Sequence, residues 1–506
     1  MEGAGNVALR VDLWAFGAFA FYLMVMVVIG VLAARFSSAG LDEYFLAGRK
    51  LRSFVVALSA VASGRSSWLL LGVTGMAYVR GVGAVWAVVG YILVELFLFA
   101  FVGRRLRRLT GASGDITVPD FLESRFEDRS GLLRVVAVTV ILIFMVTYVA
   151  AQFTAGGKTF AASFGISSFE GVLITAIIVL IYTLLGGFLA VSLTDLLQAI
   201  FMITFLVLIP VVAFSKFGGW TAVFSTLRGL DPRLLDPFAL SAGVVIGFLG
   251  IGFGSPGNPH ILVRYMSIRR AGDLRLSALW GTIWNVVMAW GAIYIGLVGR
   301  AFYPTKNLLP GADPEKLYPY LAQQHLHPLL FGFVVAAIFA AIMSTADSQL
   351  LVAASGVIRD LYQRFSRGAR ALPRKELVKL SRITVLVLTV LAVLLGQVAS
   401  KWIFWLVLFA WGGLGASFGP VILLSLYWKR TTRAGALAGI VTGTLVEIVW
   451  NQTPALKAIV YELVPAFLLS TLVVIAVSLL TQPPAGVDRL LAIASGKADP
   501  HEQREP

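Results

Sequence analysis

Six ionisable side chains stand inside, or near the ends of, otherwise apolar runs of this chain: Arg65, Glu95, Asp195, Asp347, Glu447 and Glu462. Each costs several kcal/mol in hydrocarbon unless it is paired, wet or in use. Asp347 lies in AAIFAAIMSTADSQLL (336–351), where Ala341, Ser344, Thr345 and Ser348 recur at spacings of three, four and seven and so share one helix face. Hydroxyls beside a carbonyl freed from helical bonding suit a hard, weakly held monovalent cation such as sodium, which needs a few neutral, readily exchanged oxygens. The same hydroxyls can bond back to their own backbone or join helices, and taken alone that is their commoner use. Arg65 sits among small polar residues in ALSAVASGRSSWLLLG (57–72). Asp195, ending GGFLAVSLTD (186–195), is either a cation station or a helix cap, and position alone favours the cap. Glu95, amid YILVELFLFAF, has no such structural use, because a lone carboxylate must turn inward from lipid or be neutralised.

The elements that hold these residues follow from composition. With 58% hydrophobic and 13% charged residues over 506 positions and a mean hydropathy of +0.87, the chain is an integral membrane protein. Thirteen apolar runs are long enough, or nearly so, to cross as helices, including a second at about 53–79, a seventh at about 239–263 and a ninth at about 329–352. The net charge of +15 is explained by location. With the N-terminus outside, most Lys and Arg fall in the loops 35–52, 104–134, 264–278, 353–382 and 428–433 and in the tail, all on the cytoplasmic side. The basic excess therefore orients the chain, and no nucleic-acid partner is needed. Cysteine is absent, which excludes disulfides, and His260, His325, His327 and His501 lack metal-ligand company. No Ser/His/Asp grouping, HExxH pair or phosphate loop occurs in a plausible context, so no enzyme and no cofactor are expected.

Two runs differ from the rest. The second carries SGRSS at its centre, and the seventh carries GIGFGSPGNPH (250–260), where Gly and Pro withhold helix propensity and a backbone donor. Interrupted helices at matching places in two halves point to an inverted-repeat transporter whose sites lie at the unwound backbone. The repeats would span about 53–215 and 239–427, inside a single transmembrane domain of 1–482 followed by a polar cytoplasmic tail, 483–506. Such a tail is too short for the output domain of a membrane sensor, the rival from another class.

Several long stretches in order resemble the sodium/solute symporter family, over about residues 40 to 480: DEYFLAGRKL (42–51), ALSAVAS (57–63), TVPDFLESRFED (117–128), GGFLAVSLTD (186–195), NPHILVRYMS (258–267), AAIMSTADSQLLVAASGVIRDLY (340–362) and FGPVILLSLYWKRTTRAGALAG (418–439). The resemblance implies an all-α, five-plus-five inverted-repeat fold of thirteen helices, broken at the second and seventh, in the cytoplasmic (inner) membrane. It implies symport of sodium, as co-transported ligand, with a small organic solute by alternating access. Proline is the first expected cargo, ahead of a related amino acid or carboxylate. Carried over, the sodium site would use the carbonyls of Ala62, Arg65 and Ala341 and the hydroxyls of Ser344 and Thr345. Asp195 matches an aspartate tied to cation coupling, with Asp347 and Glu95 as further coupling or charge partners. The expected solute site comprises Ser63, Ser66, Tyr148, Gln152, Ile251 and Ser255.

The chain also departs from the family's proline carriers. Gly64 and Arg65 stand where those carriers have aspartate and methionine, Ile251 and Ser255 stand where they have aromatic residues, and Gln152 has no counterpart. A guanidinium near a cation site repels the ion unless it is aimed elsewhere. Arg65 is expected to pair with Asp195 or Asp347, leaving room for sodium. Two other uses are a fixed charge in place of the ion, making transport sodium-independent or proton-linked through Glu95, and a two-pronged grip on a solute carboxylate.

Overall fold

A computed structural model describes residues 12–34, 41–366, 372–398 and 402–498. Residues 1–11 and the last eight residues of the expected tail lie outside it. Among the described residues the chain is helical throughout, and its only strand-like pairing is an isolated bridge between Leu51 and Ile268. The long helices are α1 (Leu13–Ala34), α2 (Ser53–Ser67), α3 (Val85–Phe97), α4 (Leu132–Phe164), α5 (Ser168–Phe217), α6 (Ala242–Gly250), α7 (Pro259–Ser267), α8 (Leu274–Phe302), α9 (Pro328–Ser355), α10 (Arg374–Val398), α11 (Ile403–Tyr427), α12 (Arg433–Gln452) and α13 (Leu463–Leu480). A short helix, α14 (Val487–Ser495), follows in the tail and packs Val487, Ile493 and Ala494 inward.

Ten helical stretches among the described residues are long and apolar enough to cross a membrane, and two shorter apolar ones run over Ser168–Ile181 and Ala242–Gly257. One of the ten, Ser53–Ser113, has 61 residues, which as one straight helix would be about three times the ~30 Å hydrocarbon thickness. It turns back at Gly81, whose φ of 61° and ψ of −143° favour glycine and where an added Cβ would strike the Leu234 carbonyl. α5 is likewise too long for a single crossing, and Gly187 (φ 59°, ψ −169°) divides it. This break lies eight residues before Asp195, so Asp195 stands two turns inside the second half and caps nothing. The cap role that position alone favours for Asp195 is thereby corrected.

Burial ranks the helices. The apolar windows of α9 and α11 are 83% and 89% buried, against 33% for α1 and α12 and 39% for α13. α9 and α11 are therefore central, while α1, α12 and α13 turn much of their leucine and valine surface to lipid. Polar caps fix several helix starts. Ser167 and Glu170 form a reciprocal capping box before α5, and Ser241 and Thr432 cap α6 and α12.

Candidate functional site

Both interrupted runs depart from the α-helix partway along their length. α2 is interrupted at Ser66 (φ 50°, ψ −172°) and resumes through a wide helical turn, Trp68–Val73, and the helix Thr74–Arg80. Ser66 occupies a region that is nearly glycine-only, a strain of about 1–3 kcal/mol that the surroundings must impose. The Ser67 N–H donates to Gln152 Oε1 (3.1 Å), so a side chain takes up this donor, and the Trp68 N–H is shared between Ser66 Oγ (3.1 Å) and the Arg65 carbonyl. In the seventh run α6 passes into a 3₁₀ segment, Ile251–Gly257, then an extended Asn258, before α7 starts at Pro259.

α9 lies against the break in α2 with its hydroxyl face inward. Ser344 Oγ donates to the carbonyls of Ala62 and Ala341, each at 3.2 Å, and Thr345 Oγ1 donates to those of Ser63 (3.0 Å) and Ala341 (3.1 Å). Four of the five expected cation ligands thus meet in one buried place. The fifth, the Arg65 carbonyl, already accepts the Trp68 N–H. The Ser63 hydroxyl donates to the Ser344 carbonyl (2.6 Å) and takes a bond from Arg264 Nη2 (2.5 Å), so it joins this hydroxyl face to the charged network below.

Arg264 is the buried charge at the candidate site that sequence reasoning missed. The run boundaries put it at the start of the cytoplasmic loop 264–278, yet it is fully buried on α7. Its Nε donates to Ser59 Oγ (2.8 Å), its Nη2 to Asp195 Oδ2 (2.9 Å) and Ser348 Oγ (2.6 Å), and its Nη1 to the His260 carbonyl. Asp195 also accepts from Ser59 (2.5 Å). Asp347, wholly buried, accepts only from Ser348 (3.1 Å) and leaves Oδ2 without a partner. The available signal was that the apolar pattern of α7 continues through Tyr265 and Met266, past the arginine.

Arg65 corrects a second expectation. It pairs with Glu95, not with Asp195 or Asp347, and both side chains are 2% exposed. Its Nε donates to Asn285 Oδ1 (2.6 Å), the Asn285 amide donates to Glu95, and the guanidinium carbon lies 3.1 Å from the centre of the Tyr91 ring. The charge is therefore neutralised on the α3 and α8 side of the break, away from the hydroxyls of α9. Gly64 makes this arrangement possible, because a Cβ there would lie 2.7 Å from the Tyr91 hydroxyl and 3.3 Å from Ile261 Cδ1. Gly64→Ala is expected to destabilise the protein by about 1–3 kcal/mol, read as a lower melting temperature in detergent. A Tyr91→Phe background should remove most of that loss, since the ring carbon bearing the hydroxyl is 3.9 Å away. An equal loss in both backgrounds would refute this packing.

Between the two breaks lies a closed cavity of about 10 Å³, walled by Gly64, Trp68, Tyr91, Tyr148, Ile251 and Trp411 among others. The Tyr148 hydroxyl donates to Ser66 (3.4 Å), and the Ile251 carbonyl accepts from Trp411 Nε1 (2.8 Å). Ser255 Oγ, Gln152 Nε2, Trp68 Nε1 and the Tyr91 hydroxyl are buried without partners, a surplus of polar groups that a bound polar solute would satisfy. Glu315 clasps α4 to the start of α11. Its carboxylate accepts the N–H groups of Ile403 (3.0 Å) and Phe404 (2.8 Å) at the start of α11 and pairs with Lys158 of α4 (2.6 Å).

The model of the Sodium:solute symporter family matches residues 44–443. The chain belongs to the sodium:solute symporter family. Over 92% of its length it is 41% identical to the osmoregulated proline transporter of Bacillus subtilis, of which the match covers 94%. It is 38% identical to the sodium/proline symporter of Staphylococcus aureus, with 92% of each chain covered. In structure it is similar to a substrate-bound, outward-open Na+-coupled sialic acid symporter, with a TM-score of 0.80, 20% identity, and 94% of this chain and 99% of that one covered. At that identity the likeness speaks for the fold, the five-plus-five inverted repeat. As a symporter-family member the protein is a membrane transporter and not an enzyme.

Proposed function

We propose that this family member couples sodium entry to the uptake of a small organic solute, with proline as the first cargo, by alternating access. The observation that carries the reading is the meeting of the Ser344 and Thr345 hydroxyls with the carbonyls of Ala62, Ser63 and Ala341 at the break in α2. Sodium would bind there, ligated by Ala62, Ala341, Ser344 and Thr345, with the Arg65 carbonyl offering its second lone pair. The solute would lie in the neighbouring cavity against Ser66, Tyr148, Gln152, Ile251 and Ser255. Asp195 and Asp347 would link the cation site to Arg264. Each ligand must favour the same conformation, so each raises the other's affinity by the same factor. Proline is favoured because the relatives sharing 38–41% identity are named as proline transporters.

In this reading the chain crosses the inner membrane thirteen times, with Ser53–Ser113 and α5 each crossing twice, the N-terminus outside and the tail inside. The basic loops then face the cytoplasm, and the Glu315 clasp faces outward.

Uptake of labelled proline into proteoliposomes tests the assignment. It should require an inward sodium gradient, and Ser344→Ala should raise the sodium concentration for half-maximal uptake on the order of tenfold, the effect of losing about 1.4 kcal/mol of ligation. Proline uptake indifferent to sodium would overturn the coupling and favour a sodium-independent or proton-linked carrier. Sodium-driven uptake of another solute, with none of proline, would overturn only the cargo.

A further inference from the structure

One residue past Trp411, Gly412 has no side chain, and its space is taken by the Glu447 carboxylate of α12 and by the Tyr461 hydroxyl, which lies 2.8 Å from where a Cβ would sit. Glu447 is wholly buried, and neither of its carboxylate oxygens has a hydrogen-bond partner. The nearby donors are engaged elsewhere. The Tyr461 hydroxyl donates to the Leu408 carbonyl (2.5 Å), and the Asn451 amide donates to Glu462 Oε1 (2.5 Å). Glu462 is buried too, and its Oε2 has no partner.

The charged and titratable groups facing Glu447 are Lys457, Tyr461 and Glu462 from the connection between α12 and α13, with Tyr148 of α4 beyond Tyr461. α13 contributes none, and α11 contributes none near Gly412. A carboxylate without donors beside a second carboxylate must be neutralised to remain in so apolar a place. Sodium needs several oxygens around it, and the surroundings leave few free. A proton needs only one.

We propose that Glu447 is a proton-binding site that sets how readily α11 leaves its closed position. The proton comes from water in a cavity of about 140 Å³ lined by Trp405, Lys457, Tyr461 and Glu462, beside the start of α11 that Glu315 clasps, and returns there. With the proton bound, the neutral carboxyl packs under Gly412. Without it, repulsion from Glu462 and the pull of water drive the Glu447 side chain and α11 apart. α11 carries that movement inward, because Trp411 holds the Ile251 carbonyl and its own carbonyl accepts from Asn258 (3.3 Å). The proposal goes beyond the transport reading and borrows from it only which face is outside.

The test needs neither solute nor orientation. The chain has no cysteine, so Val407→Cys, in the wall of the closed cavity, gives a single thiol. Its labelling rate in detergent reports opening. Dividing the rate by that of V407C/E447Q at each pH removes the thiol's own ionisation. The ratio should be near one at acid pH and rise at least about threefold toward about pH 9, as Glu447 loses its proton and the glutamine cannot. A ratio constant with pH overturns the proposal, and so does a ratio that follows sodium concentration at fixed pH, which would make the ligand sodium. Should E447Q fail to fold, the ratio of folded to denatured V407C labelling serves instead, with the same two outcomes.

Discussion

Arg264→Met should abolish transport and destabilise the protein by about 3–5 kcal/mol, the usual result of removing one partner of a buried ion pair. The guanidinium ties Ser59 of α2, Asp195 of α5, Ser348 of α9 and the His260 carbonyl of its own helix into one buried knot. Its loss leaves Asp195 as a buried charge held by serine hydroxyls alone. Arg264→Lys should fail to rescue either property, because a single ammonium cannot span acceptors arranged around a planar fork. Adding Asp195→Asn to Arg264→Met should restore part of the melting temperature without restoring uptake, since the stray charge is gone but the four helices are no longer tied. Melting curves of purified protein alongside proteoliposome uptake separate these effects. An Arg264→Lys protein with native stability and transport would refute the knot as described.

Much of this fold was legible in the sequence, for local reasons. The break in the seventh run is spelled out by Gly and Pro at 250–259, and Ser66 breaks the second run inside an SGRSS that no lipid-facing helix would carry. The α9 face followed from spacing alone, because residues three, four and seven apart on a helix must share a side. Pairing was not legible in the same way. Arg65 had three buried carboxylates to choose from, and the choice of Glu95 depends on Asn285 in α8 and on the Tyr91 ring, which only the packing brings together. Asp195 was misplaced because the break falls at the earlier glycine pair. Arg264 was misplaced because counting basic residues by side treats every arginine beyond an apolar run as a loop residue. Of these, only the Arg65 pairing is tertiary packing that no local rule could have found.

The Arg65–Glu95 pair gives the sharpest double-mutant test. Glu95→Leu alone should destabilise the protein by about 3–5 kcal/mol, because it leaves Arg65 charged, 2% exposed and without its carboxylate. Arg65→Met alone should cost a comparable amount by stranding Glu95, whose remaining donor is the Asn285 amide. The two together should recover most of the loss, since two apolar side chains of similar volume avoid the desolvation that the ion pair must offset. Full recovery should need Asn285→Leu as well, because in the double variant that amide loses both partners. Sodium dependence should survive in the double variant. The pair is neutral as a unit, and its hydrogen bonds run to α3 and α8 while the hydroxyls of Ser344 and Thr345 face the carbonyls of Ala62 and Ser63. Were the double variant stable but transporting without sodium, the guanidinium would belong to the coupling machinery. Retained coupling with rescued stability would instead show that this arginine is held at bilayer depth to pin the broken half of α2 against α3 and α8, giving the proposed sodium site a fixed wall to face.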